Sequence, residues 1–156
     1  MRDERFTDEE WELVKMVPFQ AFGMVAGADG EVDKAEAEEL FKRMTGGAMG
    51  YKDPLHKAVA MDIVGKDWGP LIKGSMDPAV AHPEKIKTLL REKLTFQEYQ
   101  SFLGSIFIDV VNVAKASGGG GVLKKKSPIS EEEEKALQAI LVFYGIDMQA
   151  VKKAFE

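Results

Sequence analysis

The 156-residue chain reads as all-α: a single compact domain of seven or eight helices with an internal pseudo-twofold repeat. Three observations predict this. Apolar residues recur at three- and four-residue spacing almost throughout, and no segment alternates with period two. Thr, Asp or Ser followed three residues later by Glu, a pattern that closes a helix N-terminus on itself, precedes several apolar stretches. One short pattern also occurs twice. Ala26-Gly27-Ala28-Asp29-Gly30 is matched 88 residues later by Ala114-Lys115-Ala116-Ser117-Gly118, and Val32, Asp33, Glu36 and Leu40 are matched 97 residues later by Ile129, Ser130, Glu133 and Leu137. The second copy thus carries nine extra residues in its turn, and the repeat halves run roughly over residues 6–66 and 83–156 of the one domain.

Thr7 and Glu10 form a capping box ahead of the stripe Trp11, Val14, Val17, and Pro18 is expected to break or kink that first helix. A second helix is expected over residues 18–26, stopping at Gly27 and Gly30. Asp33 with Glu36 opens a third, carrying Leu40, Phe41 and Met44 to Gly46 and Gly47. Asp53-Pro54 supplies a cap and a helix-starting proline for Leu55, Ala58, Val59 and Ile63. Between Gly65 and Pro83, the breakers Gly69, Pro70, Gly74 and Pro78 leave room for a turn or two of helix plus loop. A helix from Pro83 to Leu94 meets a new start at Thr95, where Glu98 completes another capping box. The side chains Phe102, Leu103, Ile106, Phe107, Val110, Val111 and Val113 then cover more than one face, so this helix is expected to be central. Its end at Gly118 is read as a structural turn, as is Gly30, and a glycine- and lysine-rich loop follows. Ser130 with Glu133 caps the helix of Ala136, Leu137, Ile140, Leu141 and Phe143. Gly145 ends that helix, and Asp147 caps a last short one.

Composition narrows function. The chain has no cysteine, which excludes disulfides, thiolate metal sites and cysteine nucleophiles. His56 and His82 are its two histidines, too few for a histidine-built zinc site, and neither has a serine or acid at motif spacing to support a hydrolase triad. The net charge of −5 disfavours nucleic acid and anionic membrane, and points to basic proteins or cations. The charged start (Arg2, Asp3, Glu4, Arg5) does not read as a signal peptide, and no apolar run reaches about 18 residues, so a soluble cytoplasmic protein without membrane insertion is expected. The loop Gly118 to Ser127 lacks P-loop spacing because Lys125, not glycine, precedes Lys126-Ser127. Trp11 and Trp68 are read as packing residues, and the chain as not an enzyme.

The residues Ala28-Asp29-Gly30-Glu31-Val32-Asp33 with Glu36, and later Val113-Ala114-Lys115-Ala116-Ser117-Gly118 with Ile129, Ser130 and Glu133, resemble the TerB family of tellurite-resistance proteins. The resemblance covers roughly residues 6–145. It implies an all-helical, internally repeated fold and a bacterial cytoplasmic protein of a stress-response system, associated with the inner membrane through a partner. That system responds to tellurite and other chemical stress, phage and colicins, and its components include the membrane protein TerC and calcium-binding TerD-type proteins. The resemblance also implies metal binding at acidic positions, here Asp29, Asp33 and Glu36. The second copy has Ser117 in place of Asp29, so the pattern does not give a symmetric pair of sites.

From the residues alone, Asp29-Gly30 through Glu36 fits the last two-thirds of an EF-hand. With Gly30 at the sixth loop position, Asp33 and Glu36 fall at the ninth and twelfth, but Val25 and Gly27 occupy positions one and three where carboxylates belong. The favoured reading is that Gly30 makes a tight turn and Asp33 and Glu36 cap the next helix. The alternative is a divalent-cation site, for instance for calcium. Pseudo-symmetry would bring Glu133 to Asp29 and Glu36, with Asp109 as a further carboxylate. Asp109 and Asp62, each within an apolar stretch, are expected on the exposed side of their helices. Two functions follow: a noncatalytic TerB-like interaction module working through acidic helical surfaces, or a divalent-cation-binding or sensing protein using the Asp29 turn.

Overall fold

A capping box sets where the chain first becomes helical. In the computed structural model, which describes residues 3–26, 40, 42–43, 50–119 and 131–149, the Glu10 amide donates to Thr7 Oγ1 at 3.1 Å and the Thr7 amide donates to Glu10 Oε1 at 2.8 Å. Two of the four unpartnered amides at the start of α1 (Asp8–Ala26) are thereby satisfied. Pro18 does not break this helix. A proline removes one backbone bond and crowds the preceding turn, at a cost of about 3 kcal/mol. That local penalty is outweighed by burial on both sides of it, because Val14, Val17, Phe19, Ala21 and Val25 all lie in the core. The two helices expected from the sequence are therefore one.

Leu40, Lys42 and Arg43 are helical; the remainder of the helix expected from Asp33 lies outside the described residues. Asp53 caps α2 (Pro54–Ile63), its Oδ2 accepting the His56 amide at 2.8 Å with Pro54 in the first turn. Gly65, at φ +78°, turns the chain away in a conformation that costs a side-chain-bearing residue dearly. A short α3 (Gly69–Ser75) provides the turn or two of helix expected there. Next comes α4 (Pro83–Lys93), followed almost at once by α5 (Phe96–Gly119). The second capping box separates them, with Glu98 N donating to Thr95 Oγ1 at 3.1 Å and Thr95 N to Glu98 Oε1 at 2.9 Å. The backbone of α5 runs through Gly118, where the sequence suggested a turn.

The last long helix is α6 (Glu131–Tyr144). It ends in a Schellman arrangement: Gly145, at φ +67°, donates to the Val142 carbonyl at 3.2 Å, and Ile146 donates to the Leu141 carbonyl at 3.0 Å. Side chains of α5 complete this end. Tyr99 Oη donates to the Tyr144 carbonyl at 2.7 Å, and Gln100 donates to the Gly145 carbonyl at 2.6 Å while accepting the Asp147 amide at 2.7 Å. Asp147 in turn accepts the Gln149 amide, the cap expected for a final helix.

Helices α1 and α5, of 19 and 24 residues, form the middle of the bundle. α1 touches all five other helices and α5 touches α1, α2, α4 and α6. Val14, Val17, Ile63, Ile86, Leu90, Phe102 and Val110 meet between them with almost no exposed surface. The described residues contain six helices and no strand in one all-helical domain, and none of these helices is long and apolar enough to cross a membrane. Thr95→Ala, which removes one half of a capping box, is expected to lower unfolding free energy by about 1 kcal/mol in urea titration, with Thr95→Ser restoring most of it.

Candidate functional site: a buried polar cluster between α2 and α5

Helix α5 is apolar around most of its girth, yet Ser101, Ser105 and Asp109 follow one another at spacing four and so share one face. That face meets the start of α2. Ser101 Oγ donates to Asp53 Oδ1 at 2.6 Å, and Ser105 Oγ lies 2.6 Å from His56 Nδ1. Asp109 Oδ2 accepts a hydrogen bond from the Tyr51 hydroxyl and lies 3.7 Å from His56 Nε2, while Arg43 Nη1 is 3.9 Å from Asp109 Oδ1. The Tyr51 ring stacks on the imidazole with centroids 3.8 Å apart, and Phe102 and the imidazole form a T-shaped pair with centroids 6.4 Å apart.

His56 is 0% exposed, Ser105 and Asp109 each 7%. Burial disfavours the charged imidazole and pushes the His56 pKa down to about 3. Burial likewise raises the Tyr51 hydroxyl, assisted by its bond to the Asp109 carboxylate, so the phenol stays a donor. Asp53 is raised by burial, against the pull of its bonds from Ser101 and the His56 amide. Electrostatics favour one His56 tautomer. With Ser105 donating to Nδ1, the N–H sits on Nε2 and faces the carboxylate; the other tautomer would set a lone pair against it.

Asp109, expected on an exposed helix side, is buried and partnered because a bare carboxylate there would be costly. His56, which has no serine or acid at motif spacing in sequence, has both beside it in space. The order Ser105, His56, Asp109 is that of a proton relay. Yet Ser105 is closed off inside the helix packing, and 3.7 Å is too long for a hydrogen bond from Nε2. What the arrangement does is hold α2 against α5. The signal that could have revealed it is the polar stripe at spacing four in an apolar helix.

The other expected site residues are placed unevenly. Glu133 is buried on α6, while Asp29, Gly30, Asp33 and Glu36 lie outside the described residues. Among the described residues no group of three or more histidines and carboxylates is arranged to hold a metal ion. Asp62 is mostly covered rather than exposed; it accepts Trp11 Nε1 at 2.8 Å and pairs with Lys66 at 3.1 Å and Lys15 at 3.4 Å. Trp68 donates to the Ile63 carbonyl and packs edge-on against Phe19, a packing role as expected.

Two adjoining depressions lie on the surface of the described residues. One, of about 410 Å³, is lined by Met24, Pro83, Ala136, Ala139, Ile140, Phe143 and Tyr144. Its neighbour, of about 260 Å³, shares Met24 and Pro83 and adds Phe19, Gln20, Gly23, Ser75, Met76, Pro78 and Ala81. Compared with known proteins, the chain matches no family model, no curated protein and no solved structure.

Proposed function

We propose that this chain is a noncatalytic TerB-like protein of a bacterial tellurite and chemical stress-response system, acting as an interaction module. The observation that carries this reading is a separation of chemistry from surface. The groups of the polar cluster able to move protons, His56, Ser105 and Asp109, are sealed between helices, whereas Glu131, Glu132 and Glu134 stand exposed on α6. Acidic helical faces suit basic protein segments, and the cytoplasmic loops of membrane proteins carry an excess of Lys and Arg. A membrane partner of TerC type fits that chemistry and would bring a cytoplasmic protein to the inner membrane without insertion of its own.

The internal repeat belongs to the same proposal. The offset of 88 residues relates not only the sequence copies but also the capping boxes, Thr7/Glu10 to Thr95/Glu98. Carried along α1 and α5, it pairs buried Trp11 with Tyr99, Val14 with Phe102, Phe19 with Phe107 and Val25 with Val113. Equivalent positions do equivalent work in the core, which supports two related halves and a count of seven or eight helices once the segments outside the described residues are included.

The test is survival of a tellurite-sensitised bacterium expressing the chain. Wild type and Ser105→Ala are expected to protect equally, and Glu131→Lys with Glu134→Lys to protect much less; equal protection by the charge-reversed variant would sink the proposal. The cation reading is separated by melting metal-stripped protein with millimolar calcium, magnesium, manganese or zinc. A ligand that binds only the folded state must stabilise it. No shift is expected, and a cation-specific rise that Asp29→Ala abolishes would make cation sensing the function instead.

A further inference from the structure

The larger depression has a direction. Ala136, Ala139, Ile140 and Phe143 recur at three- and four-residue spacing, so one stripe of α6 forms its long wall, with Met24 and Pro83 opposite. Glu132, exposed, continues this stripe one turn before Ala136. At the far end Lys87 Nζ sits over the Phe143 ring, 4.7 Å from its centroid. The apolar channel therefore lies between an acidic end and a basic end, and the eleven steps from Glu132 to Phe143 set those ends about 16 Å apart.

We propose that this channel docks one amphipathic helix of a partner protein, with apolar anchors at helical spacing, a basic residue at the end against Glu132 and an acidic residue at the end against Lys87. The proposal rests on the reading of the chain as an interaction module and names the element that module grips. A small-molecule ligand is disfavoured because such sites add a few convergent polar groups to an apolar lining, and here the charges stand at the ends. A second copy of this chain would set concave surface against concave surface and leave a void, whereas a helix is convex and fills the channel. Ala136 and Ala139 let such a helix approach closely, and the unbranched Met24 thioether adapts to its side chains.

The probes are three dye-labelled helical peptides of about 16 residues, each with leucines at positions i, i+3, i+4 and i+7. One carries Lys at one end and Glu at the other, one Lys at both ends, and one Glu at both ends. Fluorescence anisotropy at low salt is expected to show the mixed peptide binding about threefold tighter than either other, the scale of exposed charge pairs. In Glu132→Lys the peptide with Glu at both ends should become the tightest. Ala139→Arg, at an exposed helix position whose folding circular dichroism verifies, should weaken all three about tenfold by placing a charge in the apolar channel. Unsaturable binding, unchanged ranking in Glu132→Lys, or unchanged affinity in Ala139→Arg overturns the proposal. So does dimerisation of the chain that Ala139→Arg abolishes, because the channel's occupant would then be a second copy. Peptide binding reads the channel alone, so its failure is distinct from a failed survival assay, which refutes the stress-system reading.

Discussion

Acidification from pH 8 to pH 4.5 is expected to cost the folded protein about 2–3 kcal/mol through His56 alone. The imidazole is neutral in the fold, with its pKa pushed down to about 3 by burial, and free to take a proton near pH 6.5 when unfolded. The unfolded chain therefore binds more protons between those values. The stability that depends on neutral His56 is fully present above about pH 6.5 and is lost progressively as pH falls toward 3. Asp53 works in the opposite sense, since its raised pKa lets the folded state hold a proton the unfolded state has released. The carboxylates of Glu10 and Glu98, held low by the capping-box amides of Thr7 and Thr95 against a smaller opposing effect of burial, add their losses as pH falls below about 4.5, where the unfolded carboxylates take up protons. Urea titrations at half-unit pH intervals isolate the histidine between 6.5 and 4.5. In His56→Gln, which keeps a polar partner for Ser105 but cannot charge, the loss of stability on acidification through that window is expected to disappear, leaving only the opposite contribution of Asp53. A mutant slope equal to that of wild type would place the acid sensitivity elsewhere.

Phe102→Ala is expected to be the most damaging single truncation, at about 3–5 kcal/mol. Phe102 is 0% exposed in the first third of α5 and makes a T-shaped contact with the His56 ring, so truncation leaves a void beside the polar cluster as well as removing apolar contact. The control lies six residues earlier on the same helix. Phe96 is 73% exposed, and Phe96→Ala is expected to change stability by less than about 0.5 kcal/mol. Equal losses from the two would show that α5 does not pack through the Phe102 face.

What was legible in the sequence was whatever is decided locally. The two Thr-x-x-Glu boxes, the Asp53-Pro54 start and the Gly145 stop each act within about five residues, and each lies where the pattern places it. Pro18 shows the limit of that logic. Its penalty is local and visible, while the burial of Val14, Val17 and Val25 that outweighs it depends on neighbours distant in the chain. The same limit hid the polar cluster. His56 and Asp109 stand 53 residues apart, and only the packing of α2 on α5 makes them partners. The acidic turn around Asp29 was the most visible motif, and its residues lie outside those described.

The exit of α6 couples two helices through its backbone. Helix ends are where a fold ordinarily loosens first, because the last carbonyls have no ladder above them. Here those carbonyls are held by Tyr99 and Gln100, both rooted in the first turns of α5. The last turn of α6 cannot fray without releasing α5 side chains as well, so its local opening carries a free energy closer to that of the core than to that of a surface end.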